Sequence, residues 1–159
     1  WLGLSGLLLS SPWLGMAMKV PAWKQWIARL ASRFLPDLGL PSDIPTSWIT
    51  TDPEQVRLAD ADPLMVRSGS ARWLTEIYRT QEVVRAGAAS ITLPTLLMAS
   101  GDDRLVSTAE SRSVFERMGS ADSTWIEYPG LRHELFNEVD RQRVFIDMTR
   151  WLHERAMRS

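Results

Sequence analysis

The stretch LLMASGDDRLV, at residues 96–106, starts as an unbroken apolar run and ends in a glycine followed by two carboxylates. A short apolar run without polar alternation is typical of a strand that is buried on both faces of a parallel sheet. The stretch YPGLRHELF, at residues 128–136, follows a second strand-like segment and carries a histidine after a Pro-Gly turn. Each stretch therefore predicts a buried strand that runs into a loop, with an acid on the first loop and a base on the second.

Strand-like and helix-like segments alternate along the chain, and this order predicts the fold class. The predicted strands are residues 4–9, 95–99 and 123–128, and the predicted helices are residues 21–34, 52–60, 71–85, 107–118 and 140–155. Alternating strands and helices imply an α/β fold with a parallel sheet and right-handed crossovers. We expect three parallel strands with flanking helices, in which residues 1–12 and 89–159 form a partial core and residues 13–88 a helical cap. Residues 36–45, which Pro and Gly interrupt, are predicted to be a loop.

Composition excludes several kinds of function. The net charge of −1 gives no reason to expect nucleic acid or a strongly acidic partner. The chain has no cysteine, and its His, Asp and Glu residues do not cluster with the spacing of metal ligands, so we expect no metal and no cofactor. A chain without cysteine suits a reducing compartment, and we expect it to be cytoplasmic. The apolar run at residues 2–9 is too short to span a bilayer and lacks the basic residues that open a signal peptide, so a buried strand is the preferred interpretation.

Asp103 and His133 are the candidate acid and base. Both follow predicted parallel strands, and functional groups gather at the carboxyl ends of such strands. The two strands are consecutive along the chain, so we expect them to be neighbours and to bring the two side chains together. A buried carboxylate would hold the imidazole in one tautomer while the imidazole takes a proton from a hydroxyl. Taken singly, either residue could be a turn former or a surface residue, but the pair in this order favours catalysis.

Two alternatives remain for the carboxylates of the first loop. Asp102 could serve as the acid, although we prefer Asp103 and expect Asp102 to be solvated or to cap a backbone amide. Paired acids after a strand could also hold magnesium for phosphoryl transfer, but no glycine-rich phosphate loop accompanies them.

No serine of the chain has the sequence setting of a nucleophile. A nucleophile elbow has the form G-x-S-x-G, follows a strand and opens a helix. The nearest string is GLSGL at residues 3–7, where Leu7 stands in place of the second glycine and Ser5 falls inside a predicted strand. Ser10 and Ser11 end that strand without a glycine elbow. The chain therefore has an acid and a base but no recognisable nucleophile.

The first third of the chain is rich in aromatic residues. Five of the eight tryptophans lie within residues 1–48, so this region has much aromatic surface to bury or to offer to an apolar ligand. The helix predicted at residues 21–34 carries an apolar face composed of Trp23, Trp26, Ile27, Leu30 and Phe34. It is either a lid that can contact a membrane surface or an ordinary amphipathic helix. Its position between two sheet strands favours the lid.

Together these segments resemble the C-terminal portion of an α/β-hydrolase of the monoacylglycerol lipase type, also called the lysophospholipase or serine aminopeptidase-like group. GLLLSSP at residues 6–12 is similar to the family's sixth strand, and Asp62-Pro63-Leu64 is similar to a recurring element of its cap. GDDRLV at residues 101–106 resembles the acid loop, and YPGLRHE at residues 128–134 resembles the histidine loop. The resemblance implies that Asp103 and His133 are catalytic.

The resemblance also has implications beside the acid and the base. Leu105 and Glu134, each close to a catalytic position, are implied to border the acyl site. Arg132 stands where the family often has an aromatic residue before the histidine. The family's elbow serine and oxyanion loop precede its sixth strand, and nothing in this chain matches them.

The function that the resemblance implies is that of a serine hydrolase whose nucleophile lies upstream of this chain. Its substrate would be a lipid or small ester, in the first place monoacylglycerol or lysophospholipid, and its cap would make transient contact with a membrane surface. The chain alone would then be inactive. The alternative is a non-catalytic α/β-hydrolase-like module that binds an apolar ligand or a protein. The intact acid–base pair favours the hydrolase, because a binding module needs neither residue.

Overall fold

The structure of the chain, a computed structural model, describes residues 3–18, 20–42 and 44–157. Its strands are β1 (Leu7–Ser10), β2 (Gly39–Pro41), β3 (Ser68–Ser70), β4 (Thr95–Ser100) and β5 (Ser123–Tyr128). Its α-helices are α1 (Ala22–Phe34), α2 (Pro53–Ala61), α3 (Ala71–Gly87), α4 (Thr108–Phe115) and α5 (Arg141–Ala156). Short 3-10 turns lie at Thr46–Trp48, Ala88–Ser90 and Leu135–Asn137. Residues 1, 2, 158 and 159 of the predicted core and residues 19 and 43 of the predicted cap lie outside the described residues.

The central sheet has the strand order β1-β4-β5, and its strands are parallel. Every residue of β4 is buried, as expected for the middle strand of a sheet that is covered on both faces. The register pairs Leu9 with Leu97 and Leu97 with Trp125, so the carboxyl ends of β4 and β5 lie side by side. The predicted α/β class with three parallel strands and flanking helices is confirmed. Among the described residues, no strand pairs with the other edge of β1.

β1 begins three residues later than the apolar pattern predicts and continues to Ser10. Pairing starts where the backbone N–H of Leu7 donates to the carbonyl of Pro94, at 2.8 Å. Because β4 begins only after Pro94, the residues before Leu7 have no strand residue beside them, and Leu4 is 55% exposed.

The main core lies between the sheet and α5. Its buried members are Leu96, Met98, Tyr128, Leu131, Leu135, Val144 and Trp151. Val144 and Trp151 belong to the apolar stripe predicted for the last helix, and both are buried against the sheet. The rings of Phe136 and Phe145 stack at the edge of this core, with centroids 5.4 Å apart.

The residues between β1 and β4, 11–94, form a largely helical insertion, in which α1 packs on α3. The contact uses the small residues of α1, because Ala28 is buried and Ser32 Oγ lies 2.9 Å from Thr75 Oγ1. The large apolar residues of α1 remain 47–66% exposed; they are Trp23, Trp26, Ile27, Leu30 and Phe34. The extent of this helix agrees with the prediction, but its apolar face is not the face that packs on the domain.

Residues 36–45, predicted to be a loop, contain the strand β2, which pairs antiparallel with β3. The pairing sets Leu40 opposite Gly69. A Cβ atom at Gly69 would lie 2.8 Å from the ring of Trp73, so glycine allows the indole to lie directly against the strand. This pairing joins segments that are distant in sequence, and no local pattern marks it.

Candidate active site

The acid loop begins at Gly101, where β4 leaves the sheet. A Cβ atom at this position would lie 2.8 Å from Pro129 Cα and 2.9 Å from the carbonyl oxygen of Tyr128. The backbone N–H of Gly101 donates to that same carbonyl at 3.0 Å. Gly101 is therefore needed for the close approach of the acid loop to the turn that follows β5.

The carboxylate of Asp103 is buried and accepts hydrogen bonds at both oxygens. Its Oδ1 accepts from the backbone N–H groups of Leu105 and Val106, at 2.9 and 2.8 Å. Its Oδ2 lies 2.9 Å from Nδ1 of His133, and the side chain is only 2% exposed. Because the backbone N–H groups fix Oδ1, Oδ2 is held in place to accept a hydrogen bond from Nδ1 of His133.

The histidine loop, residues 129–138, follows β5 through a turn at Gly130, whose φ of 78° lies in the left-handed region that glycine readily adopts. The carbonyl of Leu131 then accepts from Ser100 Oγ at 2.6 Å and from the Asp102 N–H at 3.0 Å. These bonds tie the histidine loop to the end of β4 and to the acid loop.

His133 presents its second ring nitrogen away from the carboxylate. With Nδ1 donating to Asp103, Nε2 is the free acceptor of the neutral ring. The side chain is 26% exposed and forms part of the wall of a cavity. A base with this arrangement can accept a proton from a hydroxyl that enters the cavity.

Asp102, the alternative candidate for the acid, is paired with arginines and not with His133. Its side chain is half exposed, and its Oδ2 lies 3.8 Å from the guanidinium groups of both Arg104 and Arg132. Among the described residues, the carboxylate that meets His133 is that of Asp103.

The cavity beside His133 has a volume of about 880 Å³ and mostly apolar walls. Its aromatic and thioether residues are Trp13, Met16, Met18, Trp48 and Trp73. The segment with Met16 crosses the acid loop: Met16 forms an antiparallel bridge with Val106, and the Ala17 N–H donates to the carbonyl of Leu105 at 3.0 Å. The cavity is therefore lined by His133 and by Leu105 and Val106 of the acid loop, together with residues of the helical insertion.

The structure separates the two residues expected to border an acyl site. Leu105 lines the cavity, whereas Glu134 is not among its lining residues. The carboxylate of Glu134 accepts from the side-chain amide of Asn137 at 2.7 Å, and its N–H donates to the carbonyl of Ile49 at 2.7 Å. Glu134 thus follows His133 in sequence, but its carboxylate bonds within the histidine loop and its N–H bonds to the helical insertion. Trp13 and Trp48 belong to the tryptophan-rich first third of the sequence, from which an apolar binding surface was expected, whereas no sequence pattern marks Met16 or Met18.

The serine residues considered from the sequence, Ser5, Ser10 and Ser11, form no hydrogen bond with His133. Within the described residues, no serine hydroxyl is hydrogen-bonded to His133. Ser11 ends β1 with φ at 39°, and its Oγ is buried without a hydrogen-bond partner in the described part of the chain. Neither Ser10 nor Ser11 lines the cavity.

The described residues contain neither a candidate metal site nor a helix that could span a membrane. No three His, Asp or Glu side chains there are grouped so as to hold a metal ion. No helix in residues 3–18, 20–42 and 44–157 combines the length and apolarity needed to cross a bilayer.

Sequence comparison identifies a family and curated relatives that are similar to this chain. The family model described as serine aminopeptidase, S33, matches residues 3–140. A phospholipase of Bacillus subtilis, YtpA, is 32% identical over 89% of this chain and 55% of its own length. A monoacylglycerol lipase of Mycolicibacterium smegmatis is 31% identical over 93% of this chain and 53% of its own length. The chain therefore spans about half the length of these curated relatives.

Solved structures of lipases resemble the whole described fold. A monoacylglycerol lipase of Paleococcus ferrophilus superposes with a TM-score of 0.88 at 25% identity, over 96% of this chain and 60% of the lipase. A soluble variant of the Saccharomyces cerevisiae monoglyceride lipase, in complex with a substrate analogue, gives a TM-score of 0.81 at 25% identity, over 95% of this chain and 56% of the lipase. With the family model matching most of its residues, the chain belongs to the serine aminopeptidase S33 family of α/β-hydrolases, which includes monoglyceride lipases.

Proposed function

We propose that this chain supplies the acid, the base and much of the acyl pocket of a serine ester hydrolase that acts on monoacylglycerol or lysophospholipid. The observation that carries the proposal is the buried Asp103–His133 pair, whose imidazole opens onto a large apolar cavity. The nucleophilic serine and the oxyanion hole would lie in polypeptide upstream of Trp1. The named activities of the relatives, a phospholipase and monoacylglycerol lipases, support this substrate class.

In the proposed reaction, Nε2 of His133 removes the proton of the serine hydroxyl as its oxygen attacks the ester carbonyl carbon. Asp103 holds the ring by its Nδ1–H and stabilises the imidazolium that forms. The protonated ring then gives its proton to the departing alcohol oxygen as the ester C–O bond breaks. Water, deprotonated by the same nitrogen, attacks the acyl carbon of the acyl-enzyme. The bond to the serine oxygen then breaks, this oxygen takes the proton back from the imidazolium, and the fatty acid is released.

The cavity walls suit a hydrocarbon chain. Aromatic, aliphatic and thioether side chains face it, and burial of each methylene contributes about 0.8 kcal/mol. Ser42, Ser68 and Ser70 also line the cavity and offer hydroxyl groups to a polar head. An ester bond placed at His133 would thus have an apolar space beside it for the acyl chain.

The helical insertion is proposed to be the cap, with residues 13–88 as its extent. The exposed apolar face of α1 supports transient contact of this cap with a membrane surface or lipid aggregate. Arg29 and Arg33 lie exposed on the same helix and can approach anionic headgroups.

The experiment compares this chain with the complete polypeptide of which it is proposed to be the C-terminal part. We expect the complete polypeptide to hydrolyse mono-oleoylglycerol or a lysophosphatidylcholine and to react with a fluorophosphonate at one serine. His133→Ala should abolish both. This chain alone should be inactive, because the loss of a triad nucleophile costs on the order of 10⁶ in turnover.

Two outcomes would contradict the proposal. Stoichiometric fluorophosphonate labelling of this chain alone would place the nucleophile within it. A complete polypeptide that binds oleate in the cavity but hydrolyses no ester would instead establish the binding module.

A further inference from the structure

Glu138 is a buried carboxylate that the proposed reaction does not use. The residue is 0% exposed, and both of its oxygens accept hydrogen bonds. Its Oε1 accepts from the backbone N–H groups of Arg132 at 2.7 Å and Thr51 at 3.0 Å. Its Oε2 accepts from Thr51 Oγ1 and from the Val139 N–H, the latter at 3.3 Å. Removing a carboxylate from water costs free energy, and the hydrogen bonds from these donors offset that cost.

The donors to the Glu138 carboxylate are neutral and come from two parts of the fold, whereas the charged Arg141 guanidinium donates to the Glu138 backbone carbonyl, at 3.2 Å, and not to this carboxylate. Among the described residues, Glu138 forms no ion pair, although Arg141 lies nearby with its guanidinium on Asp52, at 3.2 Å. Thr51 belongs to the insertion loop, residues 47–52, which connects the 3-10 turn after Pro45 to α2. Arg132 is the residue immediately before His133. The carboxylate therefore joins the helical insertion to the backbone of the candidate base.

Further hydrogen bonds join the same two loops. The Glu134 N–H donates to the Ile49 carbonyl at 2.7 Å, and Thr50 Oγ1 donates to the Asn137 carbonyl at 2.8 Å. The Arg132 guanidinium donates to the carbonyls of Ser47 and Thr50. The insertion loop and the histidine loop therefore form one hydrogen-bonded unit around Glu138.

His133 has its backbone held on both sides within this unit. The N–H before it is bound to Glu138, and the N–H after it is bound to Ile49. The position of the backbone limits where the side chain can reach, so these contacts hold His133 where its Nδ1 can bond to Asp103. A displacement of about 1 Å at a catalytic group can reduce the rate about 100-fold.

We propose that Glu138 is a positioning residue for His133, which fixes the histidine loop to the insertion loop so that Nδ1 meets Asp103. Its action on catalysis rests on the proposed function, because Glu138 touches neither substrate nor reacting atoms. Its action on the geometry of His133 does not depend on hydrolysis and can be measured directly.

The kinetic test uses the complete polypeptide and the variant Glu138→Gln. The amide keeps the shape of the side chain but replaces one acceptor oxygen with a donor, which leaves buried N–H groups without an acceptor. We expect kcat to fall roughly 10- to 100-fold with KM little changed, since the acyl pocket stays in place. Glu116→Gln, which alters an exposed carboxylate on the surface, is the matched control and should leave both constants unchanged.

The second test measures the imidazole itself in this chain. The chain has two histidines, so ¹⁵N-labelled side-chain spectra can be assigned with a His153→Gln variant. We expect a slowly exchanging Nδ1 proton on His133, shifted downfield by its bond to Asp103. Glu138→Gln should weaken this signal or abolish it by exchange, while Glu116→Gln should preserve it.

A partner substitution separates positioning from folding. Thr51→Val removes the hydroxyl donor to Glu138 and should reproduce the effects of Glu138→Gln in weaker form, whereas Thr51→Ser keeps the hydroxyl and should restore kcat and the Nδ1 signal. The proposal would be overturned if, in both Glu138→Gln and Thr51→Val, the decrease in kcat equalled the decrease in the fraction of folded protein. Folded variants with an unchanged Nδ1 signal would also overturn it. An inactive wild-type polypeptide would contradict the proposed function alone, and the imidazole spectra would still decide the role of Glu138.

Discussion

The indole rings of Trp13 and Trp73 meet edge to face, with centroids 5.6 Å apart and planes inclined at 67°. Trp13 follows the first strand of the sheet, whereas Trp73 lies in the first turns of α3. Both rings line the cavity beside His133. Their contact closes this wall of the cavity with residues from two distant parts of the chain.

If the complete polypeptide is the proposed ester hydrolase, Trp73→Ala should lower its preference for long acyl chains. The substitution removes aromatic surface from the cavity wall and widens it towards solvent. We expect kcat/KM for a long-chain monoacylglycerol to fall roughly tenfold, which corresponds to about 1.4 kcal/mol. A short-chain ester, which does not reach this wall, serves as the internal control and should be affected little. An equal loss for both substrates would indicate that Trp73 supports folding and not the acyl chain.

Asp103→Asn should reduce kcat of the complete enzyme by about 10⁴, because the amide nitrogen favours the imidazole tautomer that carries its proton on the wrong nitrogen. The backbone donors of Leu105 and Val106 would still find an acceptor, so folding should change little. Asp102→Asn is the matched control on the neighbouring, half-exposed carboxylate and should change kcat by no more than about twofold. A large effect of Asp102→Asn with a small effect of Asp103→Asn would reverse the assignment of the acid.

Gly101→Ala should destabilise the chain, since the new methyl group would meet the backbone of Pro129 at 2.8 Å. We expect a loss of about 1–3 kcal/mol in the free energy of unfolding, measured by urea denaturation. Gly39→Ala is the control, because a Cβ atom there has nothing within 4 Å. Equal stability of the two variants would mean that the acid loop can move away from the turn after β5 without cost.

Because of Tyr128, we expect the free energy of unfolding of the chain to decrease at alkaline pH. Burial of the phenol and the negative charge of Asp147, to which its hydroxyl donates at 3.2 Å, raise the pKa of Tyr128 well above its usual range. Below about pH 10 the phenol is protonated in both the folded and the unfolded chain. Above that pH the unfolded chain loses this proton while the folded chain retains it, so the free energy of unfolding decreases as pH rises.

The measurement is urea denaturation at a series of pH values around and above 10. Tyr128→Phe should remove a slope of up to about 1.4 kcal/mol per pH unit from the wild-type profile. Tyr78→Phe is the comparison, because burial alone raises the pKa of Tyr78 and no carboxylate adds to the effect. Identical slopes for the wild type and Tyr128→Phe would contradict this explanation.

Local chemistry made several elements predictable from the sequence. Asp52 and Pro53 mark the start of α2, and the Asp52 side chain does accept from the backbone N–H groups of Glu54 and Gln55. Ser107 caps α4 in the same way, through the Glu110 N–H. The alternation of strands and helices indicated the parallel sheet, and the order of two consecutive strands indicated that Asp103 and His133 would be neighbours. Each of these signals lies within a few residues or follows from the order of the elements.

Only the tertiary structure determined which face of α1 packs on the domain and which loops contact each other. The apolar stripe of α1 is visible in the sequence, but the small residues around Ala28 are the ones that pack on α3. Glu138 resembles any surface glutamate until Thr51 and Arg132 are brought to it from different parts of the chain. The sequence by itself determined the α/β class and indicated that Asp103 and His133 would be neighbours, because periodicity and capping are local and the order of elements can be read along the chain. The cavity, the pairing of β2 with β3 and the burial of Glu138 depend on contacts between distant residues, which form only when the chain has folded.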